Sequence, residues 1–223
     1  LGNHDGLMHN HDRQDAITPI ISALNNPQIH LYKKSGVYPT GVNGFNWCVF
    51  SCFDESNWDK VRPVKGEINL ALFHGAVWGS KTDVDWEVDG EVQADFFKDF
   101  EFALLGDIHK TQFLNDEKTI AYCGSTIQQN YGEDEGKGFL FWDIRSKEDF
   151  DVTFHEVYHS KPFITVDWQG DVEKTLVECE KINDGSRFRI KSDVPMTQAD
   201  TKQIQIELLR GKDAAEVVFK SES

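Results

Sequence analysis

Short apolar runs, each followed at once by small or polar residues, are the feature that most restricts the fold of this chain. The run Ile68–Phe73 is followed by His74-Gly75, and the run Phe102–Leu105 is followed by Gly106-Asp107-Ile108-His109. Apolar runs of this length with such boundaries are typical of buried strands. Side chains that follow neighbouring parallel strands gather at one edge of a sheet, where binding groups usually lie. The sequence therefore predicts a sheet with a polar cluster at one edge.

Further strands and two helices complete the predicted first part of the chain. The Thr18-Pro19 pair is typical of a helix start, with a capping residue followed by proline at the first helical position. Four apolar residues between Val92 and Phe100 have the spacing of a short amphipathic helix. Additional strands are predicted at Ile29–Tyr32, Phe45–Phe53, Ile120–Tyr122 and Phe139–Ile144. The mixture predicts an α/β or, more broadly, an α+β fold.

Charge is distributed unevenly and indicates a domain boundary. The chain has 23 basic and 38 acidic residues, a net charge of −15, which argues against nucleic-acid binding driven by overall charge. Residues 1–160 carry 13 bases and 26 acids (13 − 26 = −13), whereas residues 161–223 carry 10 and 12 (10 − 12 = −2). We place the boundary at 160–162. The second part has a strand, helix, strand, helix, strand pattern at Phe163–Trp168, Val172–Lys181, Arg187–Ser192, Ala199–Arg210 and Glu216–Phe219, which predicts a small α+β domain.

Several classes of protein are disfavoured by what the sequence lacks. No apolar stretch approaches the roughly 18 residues of a membrane span, and no signal peptide opens the chain. The four cysteines have no metal-knuckle spacing and are too scattered for a disulfide scaffold, which favours a reducing compartment. These features predict a soluble cytoplasmic protein that does not contact membranes.

Asn3, His4 and Asp5 form a third polar cluster. Asparagine offers a neutral oxygen ligand, histidine a proton donor or imidazole ligand, and aspartate an acceptor that fixes the imidazole tautomer. Taken singly, His74 could be an ordinary structural histidine, and the Gly106-Asp107-Ile108-His109 segment could be a simple turn. Their joint occurrence favours a set of oxygen and nitrogen ligands for manganese, iron or zinc. His9 and His11 are interpreted as exposed loop residues.

The three clusters carry a family resemblance. Gly2-Asn3-His4-Asp5, Phe73-His74-Gly75 and Gly106-Asp107-Ile108-His109 resemble the later motifs of calcineurin-like metallophosphoesterases. The segments 104–110 and 122–133 resemble the SbcD branch, which comprises nuclease subunits of double-strand-break repair and recombination in cells and phages. The resemblance covers residues 1 to about 160 well. It implies a metallophosphoesterase β-sandwich flanked by helices over residues 1–160, followed by a small capping domain over residues 161–223.

The resemblance also implies roles for individual residues at a site for two divalent metal ions, with manganese expected. Asn3, His74 and Asp107 would bind one ion, and His109 the other. His4 would stabilise the transition state or protonate the leaving oxygen, and Asp5 would orient His4. The commonest family pattern has histidine at the position of Asp107. The family's first two motifs have no counterpart because the chain begins at the third, so this fragment alone is expected to be inactive.

The activity implied is that of a metal-dependent DNA endonuclease or exonuclease. It would act as a homodimer with an SbcC-like ATPase in the cytoplasm of a bacterium or a phage-infected cell. Arg187, Arg189 and Lys191 share one face of a predicted strand and could contact DNA phosphates, although an ordinary exposed face balanced by acids explains them equally well. Lys110, next to His109, is another candidate for contacting DNA.

Three alternatives remain. A general phosphomonoesterase of the same superfamily would need neither the 124–133 segment nor a capping domain lined with bases. It would keep Asn3, His4, His74 and His109. A non-catalytic scaffold subunit for the ATPase is suggested by Asp107 and by the position at which the chain starts. Binding of DNA without catalysis agrees least well with the net charge of −15.

Overall fold

A computed structural model describes residues 1–8, 10, 13–90 and 92–221. The chain divides into two compact units, the first formed by residues 1–125 and 138–155 and the second by residues 126–137 and 156 onward. The division lies at residues 155 and 156, shortly before the boundary at 160–162 that the charge shift indicates. Residues 126–137 belong to the second unit, although the sequence analysis placed them in the first domain. Their side-chain contacts, described below, explain this difference.

The first unit is built around a mixed sheet. Its helix α1 spans Ile17–Leu24, and short 3₁₀ segments span Glu55–Lys60 and Ala94–Phe97. Its strands are β1 (Gly36–Pro39), β2 (Phe45–Phe50), β3 (Ile68–His74), β4 (Phe102–Gly106), β5 (Gln112–Phe113), β6 (Ile120–Tyr122), β7 (Gly138–Ile144) and β8 (Phe150–Glu156). The sheet has the order β1-β2-β3-β4-β6-β5, in which β2, β3, β4 and β6 run parallel and both edge strands run antiparallel to their neighbours. Strands β7 and β8 form a separate two-stranded sheet.

Small and aromatic residues fill the core of the first unit. Cys48, Ala71 and Ala103 are paired in register on adjacent strands and are fully buried. The Phe50 ring contacts the surrounding aromatic rings edge-on, including Phe97 at 6.3 Å between centroids. Burial raises the pKa of the Cys48 thiol to about 12, so this cysteine is a packing residue. The predicted mixture of helices and strands is confirmed.

Three local expectations were wrong. Residues 29–32 form no strand, and the edge of the sheet is formed instead by β1, four residues of a turn-rich segment. The helix predicted within Val92–Phe100 is a single 3₁₀ turn at Ala94–Phe97. Helix α1 begins at Ile17, ahead of the predicted Thr18 cap, because the Asp15 carboxylate accepts the first free N–H groups.

The second unit contains a three-stranded parallel sheet and two helices. Its elements are β9 (Phe163–Asp167), α2 (Val172–Glu180), β10 (Arg187–Ser192), α3 (Gln198–Gly211) and β11 (Glu216–Ser221), and the sheet order is β11-β10-β9. Phe188 and Ile190 of β10 pack with Ile204 and Leu208 of α3 in a fully buried cluster. The predicted order of strands and helices in this part is confirmed. Within the described residues, no helix has the length and apolar character needed to cross a membrane.

Candidate functional site

The ends of two central strands bring the predicted polar clusters together. Strands β3 and β4 are parallel, and their register pairs His74 with Gly106. His74 is therefore the last residue of its strand at the same edge where Asp107 leaves β4. This position agrees with the expectation that the residues following these two runs share one edge of the sheet.

Three donor atoms from separate parts of the chain converge at this edge. The Nε2 atom of His74 lies 3.1 Å from Asn3 Oδ1 and 3.5 Å from Asp107 Oδ1. A single imidazole proton can be donated to one of these oxygens, whereas a divalent cation would attract both oxygens and the nitrogen lone pair. An imidazole nitrogen with amide and carboxylate oxygens is a donor set that suits manganese, iron or zinc. The residues present therefore fit the metal that the resemblance implies.

Two glycines leave the space that the His74 ring occupies. A Cβ atom at Gly2 would lie 2.7 Å from His74 Cε1, and one at Gly106 would lie 3.0 Å from Nδ1. Both contacts are closer than carbon and nitrogen atoms normally approach without displacement. Glycine at these two positions thus lets the N-terminal turn and the end of β4 close around the ring. Both glycines belong to the motifs named above, but their steric role has no signal in the sequence because it depends on contacts between distant parts of the chain.

Asp107 has an unusual backbone conformation. Its φ is +99°, in a region that non-glycine residues rarely adopt. Backbone strain of this kind costs on the order of 1–3 kcal/mol and is concentrated at functional sites. The conformation turns the chain sharply after β4 and places the carboxylate beside His74.

Burial determines the electrostatics of His74. Removal from water lowers the pKa of its imidazole, while the neighbouring Asp107 carboxylate acts in the opposite direction. The side chain is 31% exposed, so one side of the ring faces solvent. At neutral pH the ring is therefore mainly neutral, which is the form that can bind a metal ion.

Tyr122 fixes the turn that follows His74. Its hydroxyl accepts a hydrogen bond from the Val77 N–H at 2.9 Å and donates one to the Gly75 carbonyl at 2.7 Å. The residue is fully buried, and burial raises the pKa of its hydroxyl to about 12, so it stays protonated and can make both bonds. This role depends on pairing across distant parts of the chain and has no local sequence signal.

The backbone of His109 is held by the segment that follows β6. Its carbonyl accepts the Ser125 N–H at 3.1 Å. Gly124 has φ +75°, and a Cβ atom there would lie 2.9 Å from the same carbonyl oxygen, so only glycine allows this close approach. The His109 side chain is exposed, and its assignment to a second metal ion stays a prediction.

Asp5 stabilises the N-terminal turn. Its Oδ2 accepts the Gly2 N–H at 2.7 Å, and its own N–H donates to the Gly2 carbonyl. These bonds fix the turn that presents Asn3 and His4. His4 is exposed and close enough to His74 to influence its charge, whereas the predicted orientation of His4 by Asp5 remains a prediction.

The basic residues predicted to contact DNA already have protein partners. Lys110 Nζ lies 2.6 Å from Asp85 Oδ1. In the second unit, the Arg189 guanidinium donates to Thr165 Oγ1 and to the Tyr131 carbonyl and lies over the Tyr131 ring. Arg187 lies over the Phe163 ring, 4.7 Å from its centroid. Lys191, on the same strand, is partly exposed. A contact with DNA stays a prediction for all four.

The cluster at His74 depends on an amide as well as on acidic and histidine side chains. Among the residues that the structure describes, no three or more of these side chains lie close enough together to hold an ion. The cluster at His74 contributes two of them and completes its donor set with the amide of Asn3. His9 and His11 lie outside the described residues.

Comparison with known proteins gives a viral relative. No protein-family model matches the chain. The chain is 38% identical over 157 residues to a protein of Acanthamoeba polyphaga mimivirus described as "Uncharacterized protein R555". The matched region covers 66% of this chain and 12% of the viral protein. The chain thus corresponds to a small part of that much longer protein.

Proposed function

We propose that this chain forms part of a metal-dependent DNA phosphodiesterase, a nuclease subunit of the SbcD type. The observation that supports this proposal most strongly is the convergence of Asn3 Oδ1, His74 Nε2 and Asp107 Oδ1 at one edge of a parallel sheet. The three residues come from three motifs whose order along the chain resembles the same family. A metallophosphoesterase sandwich followed by a capping domain is the corresponding fold, and the two-unit division agrees with it in outline.

Asn3, His74 and Asp107 would hold one divalent ion, and His109 would contribute to a second. When bound, such ions lower the pKa of a water molecule and neutralise charge on the scissile phosphate. Asp107 contributes negative charge that would offset part of the positive charge of a cation bound at His74 Nε2. The glycines on either side of the ring fix its position before any ligand arrives, which reduces the reorganisation that binding would require.

His4 is the proposed acid of the reaction. It is exposed next to His74 rather than within the converging donor set, so its ring is accessible to a substrate oxygen. In the proposed role it protonates the leaving oxygen, which in other enzymes contributes about two to four orders of magnitude to the rate. Asp5 acts by fixing the turn that carries His4, through its bond to the Gly2 N–H.

DNA would be held by local positive charge, because the net charge of −15 repels a polyanion. Lys110, next to His109, and the β10 residues Arg187, Arg189 and Lys191 are the proposed contacts. Lys110 would exchange Asp85 for a phosphate at small cost, since Asp85 is 73% exposed and such surface pairs contribute little. Dimerisation, association with an SbcC-like ATPase and a cytoplasmic location are proposed from the resemblance alone.

Replacement of His74 with alanine tests the proposal. The full-length protein should cleave DNA with manganese and lose cleavage in chelator, and His74→Ala should lower the rate by at least about a hundredfold because one metal ligand is gone. His155→Ala is the matched control, since the exposed His155 ring contacts Phe139 and Phe141 and is not part of the donor set. Full activity of His74→Ala would refute the ligand assignment. Hydrolysis of phosphomonoesters without DNA cleavage would favour the phosphatase alternative.

A further inference from the structure

The loop that follows His74 is ordered and exposes an indole ring. The backbone N–H of Trp78 donates to the Val92 carbonyl at 2.7 Å, and the backbone N–H of Val88 donates to the Ser80 carbonyl at 2.7 Å. Trp78 itself is 54% exposed. The indole ring is therefore accessible to a ligand at a fixed place on the surface.

Gln112 of β5 ties this loop to the segment after His109. Its Oε1 accepts the Lys81 N–H at 2.8 Å, and its Nε2 donates to the carbonyls of Lys81 and Lys110 at 2.7 and 3.2 Å. A single side-chain amide thus holds both lysines at fixed positions. Because Lys110 directly follows His109, the surface that they share begins beside the proposed metal site.

A cleft of about 620 Å³ lies between these elements. Its lining combines the Trp78 and Phe113 rings with Lys81, Lys110 and the exposed amide of Gln93. The acidic residue in the lining, Asp95, is paired with Lys98 at 3.1 Å. Lys110 is paired with Asp85 at 2.6 Å, and Asp85 does not line the cleft. The cleft thus offers a flat aromatic surface next to two lysines, of which Lys110 would exchange Asp85 for a phosphate.

We propose that this cleft binds one unpaired nucleotide of the DNA substrate, with its base on the Trp78 indole and its phosphate near Lys81 and Lys110. Stacking on an aromatic side chain suits any base, and lysine suits phosphate. A base can enter only if it is unpaired, so the cleft selects single-stranded or frayed ends. This inference deepens the proposed nuclease function and rests on it for the identity of the strand.

Equilibrium binding of a fluorescent short oligodeoxythymidylate to the full-length protein in chelator tests the cleft without requiring hydrolysis. Trp78→Ala should weaken binding by about five- to a hundredfold, the range for loss of one stacked base, and Trp78→Phe should retain most of it. Trp86→Ala is the matched control, because Trp86 is 73% exposed on the same loop but does not line the cleft. Lys81→Ala should reduce the salt slope by about 0.7.

The outcomes separate this inference from the proposed function. If Trp78→Ala loses oligonucleotide affinity and Trp86→Ala does not, the cleft binds the strand, whether or not the protein hydrolyses DNA. If that difference is seen but the protein does not hydrolyse DNA, only the nuclease proposal is refuted. If Trp78→Ala and Trp86→Ala changed oligonucleotide affinity equally, or if neither changed it, the proposal that this cleft binds a nucleotide would be overturned. Displacement of the oligonucleotide by polyglutamate as effectively as by unlabelled oligonucleotide would also overturn it, because the surface would then bind anions in general.

Discussion

The position of the His74 ring depends on two residues that have no side chain. Gly2→Ala would place a methyl group 2.7 Å from His74 Cε1, which forces the ring or the N-terminal turn to move. We expect this variant to weaken manganese binding by at least about tenfold, because ligand geometry tolerates displacements of only about 0.5 Å. Titration of manganese into the variant measures the effect.

Gly136→Ala is the control for this prediction, since a Cβ atom at Gly136 would meet no atom within 4 Å. It should bind manganese as the unchanged protein does. Wild-type affinity in Gly2→Ala would show that the close packing around His74 has no functional consequence.

At this scale, the polar residues of the site could be predicted from the sequence, but the residues and backbone conformations that position them could not. Asn3, His74 and Asp107 were identifiable because each stands beside an apolar run or in a motif. Tyr122 was not, because its bonds to the Gly75 carbonyl and the Val77 N–H exist only after β6 reaches the sheet. The φ of +99° at Asp107 was also unpredictable, since no residue type other than glycine indicates it.

At the scale of elements, helix α1 depends on a charged cap. Asp15 accepts a hydrogen bond from the Thr18 N–H and pairs with Lys33 at 2.6 Å, and the bond from Lys33 is the main reason that its pKa is lowered. Since the folded-state pKa lies below the unfolded value of about 4, the stabilisation is complete above that pH. It is lost as pH falls through the folded-state pKa.

Asp15→Asn should therefore lower the free energy of unfolding at pH 7, and the difference from the unchanged protein should shrink as the pH falls below about 4. Asp15→Ala should remain less stable at both pH values because it also loses the cap. Urea unfolding at several pH values measures both effects. A difference for Asp15→Asn that does not vary with pH would exclude the ion pair as its cause.

Hydrogen bonds of the Gln128 and Tyr131 side chains hold the segment 126–137 in the second unit. Gln128 is 4% exposed; its Oε1 accepts the Phe163 N–H at 2.9 Å, and its Nε2 donates to the Phe163 carbonyl. The Tyr131 hydroxyl donates to Glu216 Oε2 at 2.8 Å. These bonds explain why the segment leaves the first unit, which a charge count along the sequence could not predict.

Gln128→Ala should destabilise the second unit by about 1–3 kcal/mol, because the Phe163 backbone groups lose their partner. Gln129→Ala is the matched control, since its side chain is exposed. Hydrogen exchange at the Phe163 amide should accelerate in the first variant alone. Unchanged exchange in Gln128→Ala would contradict the role given to this side chain.

At the scale of the whole molecule, parallel strand order explains why the site could be anticipated. The runs ending at Phe73 and Leu105 proved to be neighbouring parallel strands, so the residues after them meet. The uneven charge was less informative, because the division of the chain does not follow it fully. On a molecule with a net charge of −15, a polyanion would bind where local features favour it. The candidates are the converging donor set, the cleft lined by Lys81 and Lys110, and the basic face of β10.

Direct measurement of bound manganese tests the central claim that Asn3, His74 and Asp107 form a metal site. Electron paramagnetic resonance of the full-length protein, titrated with manganese, reports the free ion and hence the number of ions bound per chain. His74→Ala and Asp107→Ala should each bind at least one ion fewer than the unchanged protein, and His155→Ala should bind the same number. Equal numbers of ions, bound with equal affinity in all four proteins, would contradict the site.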